Sequence, residues 1–118
     1  MILVDTSVWI DHLRRGDRKL ASLLNEGVVL CHPFVIGELA CGNLENRSEI
    51  ISLLSALPST RIASHDEAMH LVSERRLAGK GLGWIDIHLL ASALLSNCTF
   101  WTKDKNLRAV ARKFKIGV

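Results

Sequence analysis

The amino-acid sequence predicts an α/β fold in which a mainly parallel sheet is covered by helices on both faces. Three observations lead there. Short apolar runs at residues 2–4, 28–31 and 98–101 lack the polar alternation of a half-exposed strand, as suits strands buried on both faces. Segments with helical spacing separate these runs, and such alternation argues for parallel strands with helical crossovers. A chain of 118 residues, 48% hydrophobic and 23% charged, is also long enough to bury a core as one domain over residues 1–118.

The first run, Ile2-Leu3-Val4, ends in Asp5. At the carboxyl edge of an open parallel sheet a carboxylate faces the crevice where ligands bind; the same residue also suits a helix cap. Thr6 or Ser7 can cap a helix over residues 8–15 that stops at Gly16. Leu20, Leu23 and Leu24 repeat at helical spacing up to Gly27. Residues 28–31 form the second strand, and Pro33 fits the first turn of the next helix. That helix carries Ile36, Leu39 and Ala40 on one face, with Glu38 among them, and ends at Gly42 and Asn43.

Ile50, Leu53, Leu54 and Leu57 mark an amphipathic helix, with Pro58 past its end. This helix suits either core packing or an interface. Residues 61–63 are a candidate short strand. Ser64 and Glu67 have capping-box spacing and open a helix to about Ala78. Gly79, Gly81 and Gly83 make a flexible connector. The helix over about 85–96 is apolar nearly all round and should be central. A strand at 98–101, a Thr-Lys-Asp turn, a basic helix over 105–113 and a last short strand near Ile116 complete the chain.

No stretch approaches the ~20 apolar residues of a membrane span. The N-terminus lacks the basic start of a signal peptide, so a cytoplasmic protein with no membrane partner is expected. Cys31, Cys41 and Cys98 are odd in number, form no C-x-x-C pair and sit among apolar residues. They read as buried free thiols rather than zinc ligands. The net charge of +3 permits a polyanionic partner without demanding one.

Asp5, Glu38, Asp86 and Asp104 each interrupt apolar surroundings near the end of an element. Parallel strands bring Asp5 and Asp104 out on one sheet edge, and helices starting there bring Glu38 and Asp86 close. Burying a carboxylate is costly without a partner, and several ionised ones share a cleft only if something positive neutralises them. Oxygen-only ligands suit Mg²⁺ or Mn²⁺. Such an ion bridges phosphate oxygens, acidifies a bound water and stabilises a leaving oxygen, the chemistry of phosphodiester hydrolysis. Taken singly, Glu38 or Asp86 could be a helix-start acid and Asp104 a turn residue.

Four stretches together resemble the PIN-domain family, in particular the VapC toxins of prokaryotic toxin–antitoxin modules. They are Val4-Asp5-Thr6-Ser7-Val8-Trp9-Ile10, Glu38-Leu39, Trp84-Ile85-Asp86-Ile87-His88-Leu89-Leu90-Ala91, and Thr102-Lys103-Asp104 with Leu107. The similarity spans essentially the whole chain in the family's order. It implies a three-layer α/β/α sandwich, a metal-dependent endoribonuclease, a VapB-like antitoxin and a homodimer. Carried over by position, Asp5 and Asp86 become direct metal ligands. Glu38 becomes a ligand directly or through water, helping to orient the nucleophile, and Asp104 acts through water. Thr6, Ser7 and Thr102 become hydrogen-bonding residues that orient the carboxylates.

Lys103, Lys105, Arg108, Arg112, Lys113 and Lys115 follow the last motif, and Arg14, Arg15, Arg18 and Lys19 follow the first. Either group could hold RNA phosphates or be a solvated helix face. His65-Asp66-Glu67 looks metal-like but suits helix-start chemistry after Ser64. His88 lies two residues past Asp86 and points to a different side of a helix. Trp9, Trp84 and Trp101 lie near three of the acidic motifs, where they could stack on bases or pack around the cleft.

The expected function is a Mg²⁺- or Mn²⁺-dependent endoribonuclease toxin. A receiver-type phospho-acceptor shares the length, alternation and acidic pocket. It wants adjacent carboxylates after the first strand, where this chain has Asp5-Thr6, and an acceptor Asp after the third, where it has Ala63-Ser64-His65. A catalytically silent RNA- or partner-binding PIN-like module is the remaining alternative, and it need not keep the full acidic set.

Overall fold

Ile2, Leu3 and Val4 form the central strand of a parallel sheet in the computed structural model, which describes residues 1–118. This strand, β1 (Ile2–Val4), pairs on one side with β2 (Val29–Leu30) and on the other with β3 (Thr99–Trp101). The register sets Leu3 opposite both Leu30 and Phe100, and Val4 opposite Trp101. Leu3 and Val4 are fully buried, as a strand covered on both faces requires. The residues that follow β1 and β3 leave from the same edge, and Asp5 N–H still bonds Trp101 O at 2.9 Å.

Single parallel bridges widen the sheet on each side, Cys31 to Ser59 and Phe100 to Gly117. The last short strand expected near Ile116 is therefore one bridge, and the second strand is two residues plus Cys31. The strand expected at 61–63 does not form. Arg61 and Ala63 instead donate their backbone N–H groups to Ser96 Oγ at 2.9 Å and Ser92 Oγ at 3.1 Å. Hydroxyls of the neighbouring helix satisfy the donors that a sheet ladder would have used.

The helices are α1 (Thr6–Arg15), α2 (Arg18–Asn25), α3 (Pro33–Ala40), α4 (Arg47–Ala56), α5 (His65–Glu74), α6 (Trp84–Leu95) and α7 (Lys105–Lys113). Asp17 caps α2 by accepting from Leu20 N–H at 3.0 Å, with Gly16 at φ 77° turning the chain out of α1. His32 caps α3 through Nδ1, which accepts from Phe34 N–H, and Pro33 takes the first position. The capping box of Ser64 and Glu67 is present in both directions. The helix it opens ends at Glu74, short of the expected Ala78, because Arg76 turns to φ 53°.

α5 packs on α6, α3 packs on α1 and α4, and α6 lies on β3. Every residue from Ile87 to Ala93 is buried, so α6 is central, as its composition predicts. α4 buries Leu54 and exposes Leu53. The core joins 25 buried apolar residues from the sheet and the helices around it. Cys31 and Cys98 are buried free thiols, whereas Cys41 is exposed at the C-terminal end of α3 and corrects the expectation for that residue. No helix is long and apolar enough to cross a membrane.

Candidate active site

Asp5 leaves β1 at the sheet edge and precedes α1, yet its side chain makes no capping bond to that helix. Neither Thr6 nor Ser7 is the cap, because both lie inside α1. Asp5 Oδ2 instead accepts from Ser7 Oγ at 2.7 Å and from Thr102 Oγ1 at 2.8 Å. Asp5 as a whole is only 6% exposed. Thr102 follows β3, so two adjacent strand ends and the first turn of α1 hold one oxygen, and Oδ1 has no protein partner.

The other three carboxylates share this division. Thr6 Oγ1 donates to Glu38 Oε1 at 2.7 Å, tying α1 to α3 across 32 positions of sequence. Asp86 Oδ2 accepts from Gly83 N–H at 2.9 Å, at the start of α6. Asp104 Oδ1 accepts from Leu107 N–H at 2.9 Å and caps α7. Each carboxylate has one oxygen fixed by protein donors and one left over. None forms an ion pair; the ion pairs of the chain lie on Asp11 and Asp17.

Burial holds the Asp86 carboxyl above its ordinary range, and the carboxylates of Asp5 and Asp104 push it the same way, against the opposing bond from Gly83. Asp5 and Asp104 thus lie near enough for their charge to reach Asp86, and Thr6, next to Asp5 in the chain, ties Glu38 to the same group. No three His, Cys, Asp or Glu side chains converge closely enough here to enclose an ion. The reason is visible in Asp86 and Asp104, each turned back onto the start of its own helix. The donor set still fits a hard divalent cation, being oxygen only and unneutralised by any cation of the chain, although only Asp5 is buried and Asp86 half-buried, whereas Glu38 and Asp104 are exposed.

Around the carboxylates, Thr102 does two things, since its Oγ1 also accepts from Asp104 N–H at 3.1 Å. Ser7 Oγ likewise accepts from Lys103 N–H at 3.0 Å. Lys103 itself is drawn away, pairing with Asp11 at 2.7 Å and Asp17 at 3.5 Å, so it braces the loop before α7 against α1 and the start of α2. Lys105 and Arg112 are exposed and Arg108 half-buried along α7, with no carboxylate pairing any of them. A hollow of about 460 Å³ opens beside Glu38, lined also by Arg14, Asn43 and Ile50.

Two features escape a reading of the sequence. The Gly83-to-Asp86 bond has capping-box spacing, although glycine hides it by lacking a side chain. His32 carries no such signal: it is fully buried, with Nε2 at 3.1 Å from Ser92 Oγ. Its imidazole is lowered to about 4, chiefly by burial and secondarily by His88.

Comparison with known proteins bears on the family and the fold. Residues 2–113 match the PIN domain family. The chain is 49% identical over 110 residues to ribonuclease VapC32 of Mycobacterium tuberculosis, in two strains, covering 92% of this chain and 89% of the relative. The crystal structure of PAE2754 from Pyrobaculum aerophilum superposes with a TM-score of 0.62 at 18% identity. It covers 92% of this chain and 77% of that one, a likeness of fold.

Proposed function

This chain belongs to the PIN-domain family as a VapC-type endoribonuclease toxin of a toxin–antitoxin system, and we propose that it cuts RNA phosphodiesters at the cleft of Asp5, Glu38, Asp86 and Asp104. One observation carries the assignment of the site: four carboxylates from four elements, each with one oxygen held by the protein and one unused, and no cation of the chain among them.

The unused oxygens of Asp5 and Asp86 would hold Mg²⁺ or Mn²⁺ directly, with Glu38 completing the shell directly or through water and Asp104 through water. Such an ion supplies charge that acidifies water and offsets charge growing on the phosphate oxygens. The residues of the chain supply the positioning. Ser7 and Thr102 fix Asp5, leaving Oδ1 as the ligating atom. Thr6 fixes Glu38 Oε1, leaving Oε2 free either to meet the ion or to accept from a water and so help orient the nucleophile. Lys105, Arg108 and Arg112 on α7 draw the RNA backbone to the cleft.

A VapB-like antitoxin would restrain this activity, and a homodimer in the cytoplasm is the expected working form. The deciding experiment incubates purified protein and an Asp86→Asn control with total cellular RNA in Mg²⁺, Mn²⁺ or EDTA. Discrete metal-dependent products that the control lacks support the reading. Absence of both cleavage and metal binding would leave a silent RNA- or partner-binding module.

A further inference from the structure

The structure separates the three tryptophans. Trp9 and Trp101 are buried in the core at 4% and 9% exposure, whereas Trp84, the first residue of α6, is 41% exposed. Phe34, the second residue of α3, is 37% exposed. Large apolar rings left open to water have lost the burial that normally stabilises them. Neither ring is loose. Phe34 and Trp84 both meet the buried ring of His88 edge-on, at centroid distances of 5.0 Å and 4.6 Å. His32 meets Phe34 at 5.1 Å, and His65 stands 5.3 Å from Trp84.

The placement of this row matters as much as its exposure. Trp84 and Asp86 share the first turn of α6, where the Asp86 carboxylate folds back onto Gly83 N–H, and Phe34 stands one helical turn before Glu38 on the same side of α3. Both rings therefore open the helices that carry two of the cleft carboxylates. Beside these contacts both rings keep more than a third of their surface open to water, and that open ring surface can take a planar ligand. An unpaired nucleobase is such a ligand, and aromatic faces bind bases with little regard to sequence.

We propose that Phe34 and Trp84 form a base-stacking subsite beside the acidic cleft, holding an unpaired RNA base next to the phosphate that is cut. The proposal rests on the ribonuclease reading. A base within a duplex offers no face to these rings, so the base they hold is an unpaired one. Buried His88 acts as the wedge that fixes the two rings relative to each other.

Trp84 is the one exposed tryptophan of a chain without tyrosine, so its fluorescence reports the subsite directly. The probes are a short oligoadenylate and its abasic counterpart with the same phosphates, titrated into the Asp5→Asn chain. The base-bearing probe should quench the fluorescence and the abasic one should not. Adding Trp84→Leu should weaken oligoadenylate binding roughly tenfold to a hundredfold and leave the slope of affinity against salt unchanged, since the substitution removes no positive charge. Trp84→Phe, which keeps a ring, should retain most of the affinity, and Phe34→Leu should reproduce the loss if Trp84→Leu proves unfolded. If the wild-type chain cleaves RNA while both probes bind and quench alike, or the leucine variants bind normally, the subsite is overturned and the ribonuclease stands. If the wild-type chain neither cleaves nor binds RNA, both fall together.

Discussion

The hydroxyl of Thr102 donates to Asp5 Oδ2 at 2.8 Å across 97 positions of sequence, and the same oxygen accepts from Asp104 N–H. One buried side chain thus sets the orientation of the carboxylate after β1 and of the turn that presents Asp104. Thr102→Val keeps the shape and removes both functions. Leaving the Asp104 N–H and the Asp5 carboxylate short of partners should cost about 1–3 kcal/mol in urea unfolding. Cleavage should fall at least tenfold at saturating metal. A variant that loses stability but cleaves at the wild-type rate would make Thr102 a packing residue only.

Asp86 is held among like charges, so removing its charge should not weaken the metal-free fold. Asp86→Asn keeps an oxygen to accept from Gly83 N–H and removes the repulsion from Asp5 and Asp104. The expected outcome is a metal-free stability within about 0.5 kcal/mol of wild type, or higher, with the stabilisation on adding Mg²⁺ or Mn²⁺ lost. Thermal unfolding with and without the ion measures both. A wild-type gain from metal in the variant would exclude Asp86 from the ion's ligands.

The acidic positions can be singled out in the sequence because they stand near element ends, where strand–helix alternation fixes the chain direction. Asp5 after Ile2-Leu3-Val4 is the plainest instance. The register that makes Thr102 the neighbour of Asp5 is not legible, since it depends on which strands become neighbours. The missing strand at 61–63 fails for a related reason. Arg61-Ile62-Ala63 has strand-like composition, but Ser92 and Ser96 lie 29 and 35 residues away and take its backbone donors. The tryptophans cannot be sorted locally either, because the burial of Trp9 and Trp101 and the exposure of Trp84 follow from packing between elements.

His32 predicts how the fold responds to acid. Its imidazole, fully buried, titrates at about 4 against an ordinary 6.5, so the unfolded chain binds the proton more readily. Stability is therefore fully present above about pH 6.5 and is lost as pH falls towards about 4, where the folded protein also becomes protonated. At ~1.4 kcal/mol per unit the loss from this group is about 3 kcal/mol. Burial lowers His88 as well, and its contribution has the same sign. Urea unfolding across this range should show the decline, and His32→Gln should flatten it. An unchanged profile in the variant would place the acid sensitivity elsewhere.

The basic residues after the last motif divide by what already holds them. Lys103 is engaged with Asp11 and Asp17, whereas exposed Lys105 and half-buried Arg108 on α7 pair with no carboxylate. Each phosphate that the protein no longer neutralises lowers the slope of log affinity against log salt by just under one. Neutralising Lys105 and Arg108 together should weaken RNA binding and reduce that slope by roughly one to two. Lys103→Ala should leave the slope intact and cost at most about 1 kcal/mol of stability, since its pairs are partly exposed and screened. Filter binding over a salt series distinguishes the two variants. Equal slopes for wild type and the Lys105/Arg108 variant would return α7 to an ordinary solvated helix and require another path for the RNA backbone.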